Sequence, residues 1–202
     1  LKGHNQMLQE SDQLHIRATA LVMERQLTRL ERYVDSMSQL QQLEDYVPCY
    51  RPIPLEKSSA LWQQSAILYC QHQQITLQWQ STAIITLDSE LVTQVLENLL
   101  SNAARYARKK ITVTLQNSWQ ANNKQALWGL ILVVTDDGPG FSQESLQKAT
   151  VPYYTEQKQH GQHFGLGLTI CQCLCHCHGG WLHISNTEQG AQVTAFFAAE
   201  KQ

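Results

Sequence analysis

Glu97-Asn98-Leu99-Leu100-Ser101-Asn102-Ala103, Asp136-Asp137-Gly138-Pro139-Gly140-Phe141 and Gly165-Leu166-Gly167-Leu168 are three blocks within the stretch Leu91–Leu168, and their order decides the fold. The first block belongs to a helix. Leu91, Val95, Leu99 and Leu100 recur at three- and four-residue steps, and Val92, Leu96 and Ala103 widen the apolar stripe. Asp88 or Ser89 is placed to cap its start. Asn98 and Asn102 are four residues apart, so their amides stand one turn apart on a face that borders the stripe. Half-burying an amide without partners costs roughly 1–3 kcal/mol. Two readings follow: ordinary polar helix residues, or an amide oxygen that completes the shell of a hard cation.

The second block ends an apolar run, Leu130-Ile131-Leu132-Val133-Val134-Thr135, that reads as a buried strand. Its glycines turn the chain and let the backbone approach something flat. A carboxylate at the strand end is suited to accept a hydrogen bond from an exocyclic amine. The third block opens a helix, with Gly165 and Gly167 ahead of Leu168, Ile170, Cys171 and Leu174. Bare backbone N–H groups at a helix start form an anion site.

Each block alone is compatible with ordinary turns and helix residues; together they are specific. Asn-Leu-Leu-x-Asn-Ala, Asp-x-Gly-x-Gly-Phe and Gly-Leu-Gly-Leu resemble the N, G1 and G2 boxes of the ATP-binding domain of bacterial sensor histidine kinases. The resemblance covers about Thr82 to Phe197 and includes Arg105-Tyr106 and Cys177-His178-Gly179-Gly180. It implies the α/β sandwich of the GHKL ATPases, with ATP and Mg²⁺ as cofactors. It also implies roles residue by residue. Asp136 accepts from the adenine amino group, and Gly138 and Gly140 let the backbone close over the base. Asn102 is the Mg²⁺ ligand. Asn98 stands where related ATPases carry a water-activating glutamate, and a neutral amide there suits a kinase. Glu97 is adjacent but about 100° away on the helix, so it is not read as a base. Arg105 meets the phosphates and Tyr106 packs near the base. Gly165, Leu166, Gly167 and Leu168 present the phosphate-binding helix start. Asn98 and Arg105 are the catalytic candidates, in a domain that supplies positioning and charge neutralisation to a nucleophile from elsewhere.

Between Phe141 and His163 the periodicity fades. The resemblance makes this the ATP lid, with Tyr153 or Tyr154 where a phenylalanine often stands and with Gly161 and Gly165 as hinges. Gln162-His163-Phe164 fills a space where the family often has a further glycine, so His163 becomes a possible phosphate donor.

The N-terminal part reads as the helical portion of a dimerisation and phosphoacceptor domain. Ile16, Ala20, Met23, Leu27, Leu30, Val34 and Met37 alternate at steps of four and three, a heptad seam on a helix from about Gln13 to Glu44. Ser11-Asp12 is read as a break and cap after a short helix tail. A homodimer through these helices is the expectation. The family's His-Glu-Leu-Arg-Thr-Pro string is absent, and neither His4 nor His15 has the right setting. The acceptor histidine is therefore expected upstream of Leu1, and the chain looks like a piece of a longer protein.

The expected organisation is a partial helical hairpin over residues 1–46, a linker over 47–57 with three prolines, and an ATP-binding domain over 58–202. Ser58-Ser59 is read as a cap. The fold class is α+β: the hairpin followed by a sandwich of helices on one face of a mixed, mostly antiparallel sheet. Within it, Ile75, Leu77 and Trp79 read as a strand, Ala83–Leu87 and Ile111–Leu115 as others, and Asn117–Lys124 as a polar loop.

The chain has 202 residues, 43% hydrophobic, with a net charge of −2, so nothing suggests a broad nucleic-acid footprint. It contains no 18-residue apolar run and no signal peptide. Four of its six cysteines lie at alternate positions from Cys171 to Cys177. Small, partly buried residues fit that spacing better than a zinc site, and free thiols fit the cytosol. The implied setting is the cytoplasmic part of a membrane sensor, with membrane segments outside this chain. The implied partner is a response-regulator receiver domain. Two other readings are a GHKL-type serine kinase of the anti-sigma-factor kind and a catalytically silent regulatory dimer.

Overall fold

The computed structural model describes residues 2–43, 46–70, 72–79, 84–122, 125–155 and 165–200, with some helix and strand side chains in these ranges left undescribed, among them those of residues 2–17 and 55–59. Helix α1 spans Lys2–Leu43, strand β1 Arg51–Pro54, helix α2 Leu55–Tyr69, β2 Gln74–Trp79, β3 Ile84–Leu87 and α3 Ser89–Tyr106. Then come β4 Lys110–Asn122, β5 Gln125–Asp136, α4 Gln143–Lys148, α5 Gly167–Cys177, β6 Trp181–Asn186 and β7 Ala191–Ala198.

The main sheet has the order β2-β4-β5-β7-β6. Only β2 and β4 run parallel; the other three pairings are antiparallel. The mixed, mostly antiparallel sheet expected from the sequence is therefore present. Alternation sets which face is buried. Ile111, Val113 and Leu115 of β4 and Leu130, Leu132 and Val134 of β5 point into one core with Leu91, Val92, Val95, Leu96, Leu99 and Leu100 of α3. Ile170, Cys171, Leu174 and Cys175 of α5 complete it. A fully buried side chain of this size contributes about 1.5–3 kcal/mol, so the α3 stripe alone fixes which way that helix faces. On the far side, Phe196 lies under Trp181, with ring centroids 5.8 Å apart.

Four local readings are corrected. The Ser11-Asp12 break is absent, because α1 is continuous. Two residues of moderate helix propensity cost only tenths of a kcal/mol each, and no Gly or Pro stands there to stop the helix. The linker is not structureless. Arg51–Pro54 pairs antiparallel with Ile84–Leu87 in a separate two-stranded sheet, where proline is tolerated at an edge. Helix α2 starts at Leu55 after Pro54, so Ser58-Ser59 lies inside it. The polar loop at Asn117–Lys124 is mostly strand: β4 and β5 stay in register out to Asn122 and Gln125. Trp119 pairs with Trp128 across the two strands at 5.4 Å between centroids, and this aromatic pair holds a segment whose other residues are polar apart from Ala121. Residues 123 and 124 lie outside the described ones, as do Lys158, His160, Gly161 and Gln162-His163-Phe164.

Candidate functional site

Three elements converge on one cavity of roughly 650 Å³, a size suited to a nucleotide-sized ligand. Helix α3 supplies Asn98, Asn102, Arg105 and Tyr106; the end of β5 supplies Asp136 and the turn after it Gly140; the start of α5 supplies Gly165, Leu166, Gly167 and Leu168. These are residues picked from the sequence. The helix delivers its two amides to one wall because its opposite stripe is locked into the core. The Asn98 amide donates to the Gln94 carbonyl, which leaves its oxygen as the exposed acceptor. That oxygen would lie 3.8 Å from a Cβ added at Gly167, so α3 and the start of α5 meet at this point. Among the described residues the Asn102 amide has no hydrogen-bond partner, although it lines the cavity. A free amide oxygen here fits a hard cation.

Asp136 is 8% exposed. Burial pushes its pKa up, and the Gly138 and Ala191 backbone N–H groups only partly offset this. The Gly138 N–H donates to Oδ1 at 2.8 Å. Asp137, next along, plays a different part. It accepts from the backbone of Arg108 and Lys109 and pins the turn between α3 and β4. Gly138 is not on the cavity wall. It packs behind it, where a Cβ would meet the Tyr106 carbonyl oxygen at 2.5 Å. Gly140 has φ +79 and faces Asn186, whose amide clamps Phe141 by accepting from its N–H at 2.7 Å and donating to its carbonyl at 2.8 Å. Gly165 has φ +68, and a Cβ there would strike the Tyr154 carbonyl oxygen at 2.1 Å, so both conformation and space require glycine.

Arg105 sits on the rim with its guanidinium carbon 5.6 Å from the Tyr106 ring centroid. Tyr153 and Tyr154 divide. Tyr154 lines the cavity, and its hydroxyl lies 3.2 Å from that of Ser145. Tyr153 does not line it: it is 50% exposed, takes φ +67, and turns its ring toward α1. The alternation of two adjacent residues gave no way to choose between them. Glu97 also reaches the cavity wall, which its place on the helix wheel did not indicate; Ser65 donates to its carboxylate at 3.0 Å. Asn186, Gln94, Tyr69 and Ser145 were missed outright. Each comes from an element with no nucleotide motif, or from a position outside one, and only the tertiary fold brings it here.

His178 is fully buried and outside the cavity. Its Nε2 accepts from the Asp88 N–H at 3.0 Å, joining the end of α5 to the start of α3. Asp88 in turn caps α3 through the Glu90 and Leu91 N–H groups and accepts from Tyr46 and Cys49 of the segment after α1.

Residues 87–201 match the family described as histidine kinase-, DNA gyrase B-, and HSP90-like ATPases. The sensor protein PfeS of Pseudomonas aeruginosa is 35% identical over 52% of this chain and 22% of its own length. The sensor histidine kinase ZraS of Salmonella typhi is 32% identical over 54% of this chain and 22% of its own. The chain thus spans about a fifth of the length of these curated relatives. Among solved structures, the Acinetobacter baumannii histidine kinase AdeS superposes with a TM-score of 0.64 at 20% identity, covering 87% of this chain and 81% of that one. The nucleotide-free catalytic domain of histidine kinase ThkA gives 0.60 at 21% identity, over 74% of this chain and 95% of its own. With more than half of its residues inside the family match and the three motif blocks gathered around one cavity, the chain belongs to the histidine kinase-, gyrase B- and HSP90-like ATPases, as the catalytic domain of a bacterial sensor histidine kinase.

Proposed function

We propose that the intact protein binds Mg-ATP in this cavity and donates the γ-phosphoryl group to a histidine outside this chain, for relay to a response-regulator aspartate. The observation that carries the proposal is the meeting, in one cavity, of an under-satisfied buried carboxylate, two helix amides and a glycine-flanked helix start. Asp136 would receive the adenine amino group, with the Pro139–Gly140 backbone alongside the base, Gly138 supporting it from behind, and Tyr106 against the base. The N–H groups at Gly165 and Gly167 and the Arg105 guanidinium would hold the phosphates. Asn102 would ligate Mg²⁺, which neutralises phosphate charge when bound. Asn98, being neutral and already tied to Gln94, offers no base to activate water. That favours transfer over hydrolysis.

The seam on α1 supports a homodimer. Met23, Leu27, Leu30 and Val34 are each about 60% exposed along one helix, an apolar stripe this chain leaves uncovered. Helix α1 would then be part of the dimerisation domain of residues 1–46, and the receiver domain of a response regulator would be the further partner; no nucleic-acid role is proposed. Among the described residues no helix is long and apolar enough to cross a membrane. Any membrane attachment would come through segments outside this chain, leaving this part in the cytoplasm.

Calorimetric titration with ATP, with and without Mg²⁺, tests the reading. Micromolar, Mg²⁺-dependent binding is expected, and Asn102→Ala should abolish the Mg²⁺ dependence. No heat at millimolar ATP would point instead to a silent regulatory dimer. The chain by itself is expected to acquire no stable label from γ-labelled ATP. Acid-stable label on a serine would move the assignment to a serine kinase.

A further inference from the structure

Besides its carboxylates and amides, the cavity wall carries a pair of facing hydroxyls. Ser145 of α4 and Tyr154 both line the cavity, and their oxygens lie 3.2 Å apart, with either able to be the donor. Ser145 is 3% exposed, and its backbone N–H donates to the Ser142 hydroxyl at 3.1 Å. Tyr154 is half-buried. The chain leading to it is tied down at successive points. The Thr169 hydroxyl of α5 donates to the Thr150 carbonyl at 3.0 Å, the Val151 N–H to the Lys148 carbonyl at 2.8 Å, and the Tyr154 N–H to the Val151 carbonyl at 3.2 Å. The phenol is therefore held in place before any ligand arrives. Among the described residues Ser145 is the only hydrogen-bond partner of the Tyr154 hydroxyl. A phenol both donates and accepts, so a single contact leaves capacity unused.

The place of the pair along the cavity narrows what it meets. At one end stand Asp136 and the Gly140–Phe141 turn, where the base would lie; at the other stand Asn98, Gly165 and Gly167, where the phosphates would lie. Helix α4 begins just after Phe141, and the Tyr154 carbonyl packs so closely on Gly165 that a Cβ there would strike it. The hydroxyl pair thus joins the element at the base end to the segment at the phosphate end. Its chemistry agrees with that middle position. A phosphate oxygen at neutral pH only accepts, and it gains nothing from a phenol whose proton is directed at Ser145. A sugar hydroxyl donates and accepts, so it completes the chain in either orientation of the pair.

We propose that Tyr154, oriented by Ser145, hydrogen-bonds a ribose hydroxyl of the bound nucleotide and makes the cavity selective for ribonucleotides over their deoxy counterparts. This rests on the assignment of the cavity to ATP. Tyr154 is the residue in contact, and Ser145 is the positioning residue behind it. A nucleotide with a complete ribose gains one neutral hydrogen bond that its deoxy form lacks, a difference of about 3–10-fold in affinity.

The test is calorimetric titration of the whole chain, Tyr154→Phe and Ser145→Ala with Mg-ATP, Mg-ADP and the 2′-deoxy and 3′-deoxy forms of ATP. The unaltered chain should prefer ATP to at least one deoxy form by about 3–10-fold. Tyr154→Phe keeps the ring and its packing. It should lose that factor for ATP and ADP alike and leave the disfavoured deoxy form unchanged, so that the preference disappears. Ser145→Ala should narrow the preference without removing it. Equal affinity of the unaltered chain for all three triphosphates would overturn the proposal. So would a loss in Tyr154→Phe shared by every nucleotide, which is packing alone, or one larger for ATP than for ADP, which puts the hydroxyl on the phosphates. If the unaltered chain binds none of the four at millimolar concentration, the assignment of the cavity to ATP falls first and the proposal with it.

Discussion

Two buried aspartates sit at opposite ends of the catalytic machinery and behave in opposite ways. Asp88 begins α3 and is 3% exposed; Asp136 ends β5 and is 8% exposed. Burial raises the pKa of both. At Asp88 the hydrogen bonds from the Tyr46 hydroxyl and from the Cys49, Leu91 and Glu90 N–H groups reverse it, and the carboxyl is held below its ordinary value. At Asp136 the offsetting bonds are too few, and the carboxyl stays above it. A carboxylate whose lone pairs are filled by its own chain is a joint. One that is buried and under-filled keeps capacity for something from outside.

The largest effect should come from breaking the joint. Asp88→Ala removes the cap of α3 and strands the Tyr46 hydroxyl and Cys49 N–H, at a cost of about 3 kcal/mol. Denaturant unfolding should show it, with nucleotide affinity little changed while the chain is folded. Asp136→Asn should do the reverse. Loss of a charged acceptor weakens ATP by about 10–100-fold, which is roughly 1.4–2.8 kcal/mol, while stability is unchanged or rises slightly as a poorly solvated charge disappears. If both variants lose stability and keep affinity, the distinction between joint and site collapses.

That distinction also separates what the sequence revealed from what it hid. Asp136 was legible because its partners are local: the strand before it and the Gly-x-Gly turn after it stand next to it in the chain. Asn98 and Asn102 were legible for the same reason, through helix periodicity. Asp88 was visible only as a cap. Its bonds to Tyr46 and Cys49 span about forty residues, and the Nε2 bond from its own N–H to His178 spans ninety; no period or spacing encodes such contacts. The β1 strand was hidden by its two prolines, and the outer half of the β4–β5 hairpin by Asn117, Ser118 and Gln120. In each case pairing with a distant or aromatic partner outweighed a local preference. Tyr153 and Tyr154 differ only in backbone conformation, so neighbouring letters carried no information about which enters the cavity.

A gentler break refines the joint. Tyr46→Phe removes the 2.6 Å hydrogen bond to Asp88 and nothing else. The loss should be about 1 kcal/mol, a fall in Tm of about 2–4 °C for a chain of this size. A larger fall would mean that Tyr46 carries the segment after α1 by more than one bond. No fall would mean that water replaces the hydroxyl at no cost, and that the backbone donors alone keep Asp88 charged.

Acid separates the two aspartates without any mutation. Asp88 is held below its ordinary 3.8, so its stabilisation is fully present above that value and is lost only as pH falls through its lower folded value. Asp136 is held above 3.8, so its charged form costs stability, and that cost is relieved as pH falls from the raised value toward 3.8. Nucleotide affinity should therefore decline first, as Asp136 takes up a proton and ceases to be a full acceptor for the adenine amine. Through that window protonation of Asp136 favours the folded state, so Tm does not fall on its account, and unfolding through Asp88 begins only further down. Bound nucleotide should pull the Asp136 value back toward 3.8. Affinity and Tm measured on the same samples from about pH 7 to 4 would show two separate declines, and the first should be absent in Asp136→Asn. A single decline shared by affinity and Tm would mean that the cavity is lost only when the fold is, and that Asp136 is as much a joint as Asp88.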